Sequence, residues 1–271
     1  MDWGYKAMLT TMTVALVLLV AQTFGRRLAG MLAGLPVITA PALLWITAEQ
    51  GAGFAAKCAV GSIAACGLMA LFALTYERLS RRLGPGLTLI GSLAIGGMVA
   101  LPMALLQGHP LRASALSAVL CIAVVLLLPS GGANAGQVRR MRGEIPLTAV
   151  AAGLVSVVIS LAARELGAFW SGLLAGLPII SAAALVTLHL TGAHESIERF
   201  LRGYVAGLVG KAVFALTFAV LIVQTGVVVA IAAALLTGIS VTLGMTQVLG
   251  WLEQRRQVLA APFGGANARA T

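Results

Sequence analysis

The sequence predicts an all-α integral membrane protein of about nine transmembrane helices, and three observations carry that prediction. Hydrophobic residues make up 60% of the chain and charged residues only 10%, where a soluble domain carries about 25% charged. The apolar residues are grouped in stretches close to the ~20 residues that a helix needs to cross hydrocarbon. No segment alternates apolar and polar residues over about ten positions, as the strands of a membrane barrel do.

In chain order the spans are 7–25, 28–48, 53–77, 86–106, 111–128, 146–163, 168–190, 200–224 and 227–250. Residues 7–20 resemble a signal-peptide core, but Lys6 and Asp2 precede them and "AQTFGRR" is a poor cleavage site, so the stretch reads as the first span. The net charge of +10 does not point to nucleic acid, because the arginines lie between apolar stretches. With nine spans, one face receives Arg26, Arg27, Arg78, Arg81, Arg82, Arg139, Arg140, Arg142, Arg199, Arg202, Arg255, Arg256 and Arg269. The other receives Lys6, Lys57, Arg112 and Arg164. The positive-inside rule makes the arginine-rich face cytoplasmic, with the N-terminus outside and the C-terminus inside. The expected location is a bacterial-type inner (plasma) membrane. Cys58, Cys66 and Cys121 fall within spans and read as small buried apolar residues.

"GMLAGLPVITAPALL" at 30–44 is echoed by "GLLAGLPIISAAALV" at 172–186. A shift of 142 aligns 25–75 with 167–217 without a gap, with 18 of 51 pairs identical. The matching Gly and Pro residues weigh most, since each fixes a backbone property, and a duplication follows. Carried further, the shift pairs spans one to four with six to nine and leaves span five as linker. An odd linker inverts the second copy, which gives a 4+1+4 inverted-topology repeat. Many secondary transporters share that plan, with the site where the repeats meet. The organisation expected is a first four-span repeat at 1–106, a linker helix and basic loop at 107–145, a second repeat at 146–253 and a flexible cytoplasmic tail at 254–271.

Within each copy, Gly30 and Gly34, and Gly172 and Gly176, share one helix face, a spacing that lets another helix come close. Gly203 and Gly207 repeat it in span eight. The plain reading of the Ala-Gly-Leu-Pro segment is therefore a packing seam with a proline kink. The sharper reading is a ligand site. Pro36 and Pro178 donate no N–H and obstruct the carbonyl four residues earlier, which leaves those of Leu32 and Leu174 free. Irregular backbone at membrane depth is tolerated only inside protein or beside a wet cavity. Thr39 and Ser181 follow three residues later and can repair the break or hold a ligand. A helix restarting at each proline would point its positive end inward, toward an anionic or polar ligand.

Lys211 is the one formal charge deep in a span, and its counterpart in the first copy is Met69. A buried ammonium is a functional candidate, against the alternatives of snorkelling or a structural bond to carbonyls. No Asp or Glu lies mid-span, which argues against a carboxylate proton relay. His189, near the cytoplasmic end of span seven, reads first as interfacial and second as a proton carrier, and it joins the candidate binding set. No nucleophile elbow, P-loop, dinucleotide motif or metal-ligand spacing occurs, so no enzyme, cofactor or metal is expected.

The stretch Ala33, Gly34, Leu35, Pro36, Thr39, Ala42 and Leu43, repeated as Ala175, Gly176, Leu177, Pro178, Ser181, Ala184 and Leu185, resembles the segment opening span two of the GlpM-like four-span inner-membrane proteins. That resemblance implies two such units fused through a linker, over roughly 7–106 and 146–250. The 4+1+4 plan is also similar to drug/metabolite-type transporters, although the membrane-embedded carboxylate usual for their cationic substrates is missing. The function expected is a secondary transporter of a small anionic or polar metabolite, with Pro36, Thr39, Pro178, Ser181, Lys211 and His189 as candidate binding residues. The alternative is a membrane scaffold or envelope-assembly factor whose glycine seams bind partner helices. Expected partners are the lipid bilayer and the metabolite, not nucleic acid, with a homodimer left open.

Overall fold

The computed structural model describes residues 4, 8, 11, 12, 26–37, 39–129, 165–190, 192 and 194–260. Among these, every regular element is helical. They are α1 (Arg26–Gly34), α2 (Thr39–Gln50), α3 (Ala52–Ser80), α4 (Pro85–Gly97), α5 (Ala100–Ala104), α6 (Pro110–Leu127), α7 (Ala168–Ala175), α8 (Ile179–Leu190), α9 (His194–Thr225) and α10 (Val227–Ala260). Among the described residues, six segments are long and apolar enough to cross a membrane: 30–50, 52–80, 85–104, 110–127, 194–225 and 227–251. The expected spans 7–25 and 146–163 lie outside the described residues. Span 168–190 is two helices of 8 and 12 residues, each too short to cross by itself.

One boundary differs from expectation. Residues from 254 on were expected to form a flexible tail, yet α10 continues to Ala260. Arg255 stacks over the Trp251 ring at 4.0 Å, a cation–π contact one turn apart that supports the extra turns.

Buriedness sorts the helices into layers. α3 and α9 form the centre: α3 is buried along most of its 29 residues, and α9 from Phe200 to Gly210 without interruption. α4, α6 and α10 stand outside. Leu87 and Ile90, Leu111 and Val119, and Val228 and Leu236 project from them with more than 60% of their surface open. In water such faces would aggregate; in a bilayer they meet lipid, and helices satisfy their own backbone there. The molecule is a multi-pass membrane protein.

α3 and α9 run antiparallel. Arg81, just past the end of α3, bonds Glu198 in the first turns of α9 at 2.7 Å. At the far end, Ala55, Cys58 and Ala59 share an apolar cluster with Phe214, Phe218 and Ile222. The other principal contacts come in pairs: α1 packs on α9, and α7 packs on α3.

These pairs obey the 142-residue shift. The helix starts at Arg26, Ala52 and Pro85 become Ala168, His194 and Val227. A methyl group placed on Gly30 would run into the Phe200 carbonyl, and one on Gly172 into that of Cys58; Phe200 and Cys58 are themselves 142 apart. A methyl on Gly96 would lie 2.8 Å from the Leu68 oxygen and 3.3 Å from Phe72 Cβ. On Gly238 it would lie 2.9 Å from both the Gly210 oxygen and Phe214 Cβ. Glycine at each position lets two backbones meet where any side chain would hold them apart.

Candidate functional site

Both Gly-Leu-Pro segments interrupt their helices. In the first, the Leu35 N–H donates to the Met31 and Leu32 carbonyls at 3.1 and 3.2 Å, and the chain turns at Pro36. The Ala40 N–H then donates to the Pro36 carbonyl at 2.8 Å and α2 begins. In the second, Leu177 donates to Leu174 at 3.1 Å, and Ala182 donates to Pro178 at 2.7 Å as α8 begins. The carbonyls of Leu32 and Leu174, expected to be free, are therefore occupied. The bond that each proline removes is replaced by one from the preceding residue, which tightens the last turn to a 3₁₀ spacing.

The two breaks meet. Residues of 33–39 and 175–181 line one cavity, and α9 contributes Tyr204 and Lys211. Its volume is about 20 Å³, room for roughly one water molecule. Four polar side chains reach it: Thr39, Ser181, Tyr204 and Lys211. All four are buried. The Ser181 hydroxyl donates to the Pro178 carbonyl at 3.2 Å, and Tyr204 lines the cavity beside it. Lys211 Nζ donates to the Gly176 carbonyl at 3.5 Å, a long bond for an ammonium. The Thr39 hydroxyl, 1% exposed, has no hydrogen-bond partner among the described residues. A buried hydroxyl in that state costs roughly 1–3 kcal/mol unless something comes to meet it.

Each expected site residue has a definite place. Thr39, Pro178, Ser181 and Lys211 line the cavity, and Pro36 lies between the lining residues Leu35 and Val37. His189 does not line it. Its Nδ1 is 3.5 Å from the Tyr76 hydroxyl, and its ring packs near those of Tyr76 and His194, close to the Arg81 end of the α3–α9 pair. Gly34 faces Gly207, 2.9 Å from the Gly207 Cα to a methyl placed on Gly34, and Gly176 faces the Ala65 side chain. Gly203 is buried on α9.

Sequence reasoning missed three features. Tyr204 was one more aromatic residue in an apolar span, and only its place two turns before Lys211 on one helix hinted at a shared face. Arg202, counted as a loop charge, is buried and donates to the Leu128 carbonyl at 2.8 Å. Arg81 bonds Glu77 through Nε at 2.8 Å as well as Glu198 through its terminal nitrogen. The Glu77 hydrogen bond and charge hold its guanidinium above the usual arginine range.

Comparison with protein-family models, with curated proteins and with solved structures finds no match to this chain. The functional reading rests on the geometry of the cavity.

Proposed function

We propose that the chain is an inverted duplicate working as a secondary transporter, and that a small anionic or polar metabolite binds in the cavity between the two broken helices. One observation carries the reading: a buried lysine and an unpartnered buried hydroxyl face the same polar cavity at two helix breaks. Helix starts at Thr39 and Ile179 add the partial positive charge of unpaired N–H groups. With an anion bound, a protonated Lys211 adds a full one. The antiparallel α3–α9 pair and the contacts that follow the 142-residue shift support the inverted 4+1+4 plan. On this reading the Arg81 and Arg202 end is cytoplasmic, because it gathers the arginines of several loops.

The scaffold alternative needs glycine seams open to partner helices. Gly30, Gly34, Gly172, Gly176 and Gly207 are already filled by this chain's own backbone or side chains, which favours transport. The cavity holds about one water as it stands, so loading a metabolite requires the halves to separate on one side, as alternating access does.

The test is thermal unfolding of the purified chain in detergent with chloride, nitrate, formate, lactate, sulfate and phosphate. At least one anion is expected to raise Tm by several degrees in the wild type and not in Lys211→Met. If no anion shifts Tm, or the shift survives in Lys211→Met, the anion-site reading fails.

A further inference from the structure

Lys211 stands near the middle of the 32-residue α9, and among the described residues no carboxylate meets it. The groups around it come from every neighbouring element of the cavity. Cys66 lies within electrostatic reach on α3, the Gly176 carbonyl follows α7, and Thr39 and Ser181 open α2 and α8. Tyr204 comes from α9 itself, while α1 and the first break add only apolar Ala33, Leu35 and Val37. On α10, Thr242 spends its hydroxyl on the Gly238 carbonyl. The spans outside the described residues, 7–25 and 146–163, contain no Asp or Glu. No acidic side chain of this chain can neutralise the lysine from mid-span.

An ammonium in that place leaves an unbalanced charge whenever the cavity is empty, and burial disfavours it. A bound monovalent anion removes the imbalance. We infer that Lys211 is the coupling group: the empty site holds a neutral amine, and a monovalent anion and one proton enter together. The step balances as Lys–NH2 + H+ + A− giving Lys–NH3+·A−, with the proton on Nζ and no other bond changed. The loaded and empty cavities are then both neutral, so either can cross the closed state without carrying net charge through hydrocarbon. The Thr39 hydroxyl supplies the donor that a bound anion lacks once Ser181 is engaged with Pro178. A dianion such as sulfate would leave one charge uncompensated, so the site selects monovalent cargo. This inference rests on the transporter reading and adds the coupling ion and the charge of the cargo.

The experiment uses the full chain in sealed liposomes containing a pH-sensitive dye, with the potential clamped by potassium and valinomycin. The probes are nitrate and chloride, which carry no proton in solution, and formate and lactate, with protein-free liposomes as control. The expected result is entry of one proton per anion, faster with an inward proton gradient and unchanged by the potential. Lys211→Met is expected to lose both fluxes. Lys211→Arg keeps a cation that does not release its proton, and is expected to retain anion-dependent Tm shifts while losing proton entry. Anion uptake without acidification, or one proton per anion in Lys211→Arg, overturns the coupling and leaves transport standing. If none of the probes enters and none shifts Tm, the transporter reading itself fails and the coupling falls with it.

Discussion

The two helix breaks share a five-residue motif and almost the same turn, yet they differ at their polar centres. After the second break, Ser181 closes on the Pro178 carbonyl and Lys211 reaches the Gly176 carbonyl, with Tyr204 lining the same cavity. After the first, Thr39 holds a buried hydroxyl without a partner, and the lysine's counterpart is Met69. The packing differs in a matching way. Gly34 meets Gly207, backbone to backbone, while Gly176 meets the Ala65 methyl and the lysine Nζ, the latter 3.6 Å from a methyl placed on Gly176. The two breaks share one backbone frame, and a few sequence differences make one wall polar and lysine-bearing and leave the other with a donor to spare. On the proposed reading, a cavity with two unlike walls would hold an asymmetric ligand in one orientation.

The sharpest way to break the comparison is to treat the two seams alike. Gly30→Ala and Gly172→Ala each push a methyl into a carbonyl, at Phe200 and Cys58. Overpacking costs about 1–3 kcal/mol and more where backbone must move, so both variants are expected near or above 3 kcal/mol, with loss of monodisperse protein on size exclusion. If one is tolerated and the other is not, the seams are not equivalent.

A smaller effect separates the two second glycines. Gly176→Ala collides with the Ala65 side chain, and Ala65→Gly removes that obstacle, which leaves the Leu173 oxygen at 3.1 Å as the nearest neighbour. The double variant is expected to recover most of the roughly 2 kcal/mol lost by Gly176→Ala, read as Tm. Gly34→Ala has no such rescue, because the atoms it would meet, the Tyr204 carbonyl oxygen and the Gly207 backbone, are all main chain. Equal Tm values for the double variant and Gly176→Ala would show that Ala65 is not the obstacle.

Smaller still are the hydroxyls. Ser181→Ala breaks a bond to Pro178 and is expected to cost about 1 kcal/mol, whereas Thr39→Val removes an unpartnered group and should be neutral or slightly stabilising. Unfolding of both variants without added anion measures this difference, and a clear loss for Thr39→Val would mean that its hydroxyl already has a partner. The smallest effect is at the exposed end. Arg81 is 54% open to solvent, so Arg81→Gln should cost only about 0.2–1 kcal/mol, and less in high salt.

Much of this was legible in the sequence. Hydropathy located the described spans, and the repeat marked both breaks, because Gly and Pro constrain backbone whatever surrounds them. The meeting of the breaks in one cavity required a fold. So did the fate of the Leu32 and Leu174 carbonyls, since the sequence tells where an N–H is missing and not which neighbour replaces it. Gly96 and Gly238 were within reach: carrying the 142-residue shift past position 75 pairs them. Arg81 and Arg202 were counted as topological charges, and a count has no geometry; their ties to Glu77, Glu198 and Leu128 join stretches far apart in the chain. The helical continuation to Ala260 was hidden by a polar composition that resembles a tail.

The exchange of half-helices has a consequence for how the chain is put together. α1 finds its main support on α9 and α7 on α3, so neither half of the polypeptide keeps its own first half-helix. Each half made alone would lack the surface on which that short piece rests, and α7, with only 8 residues, has little tendency to persist as a helix unaided. A ribosome that has produced only the first half has made something unfinished. Two separately encoded halves, produced together, would have what they need to clasp one another as the halves of the single chain do.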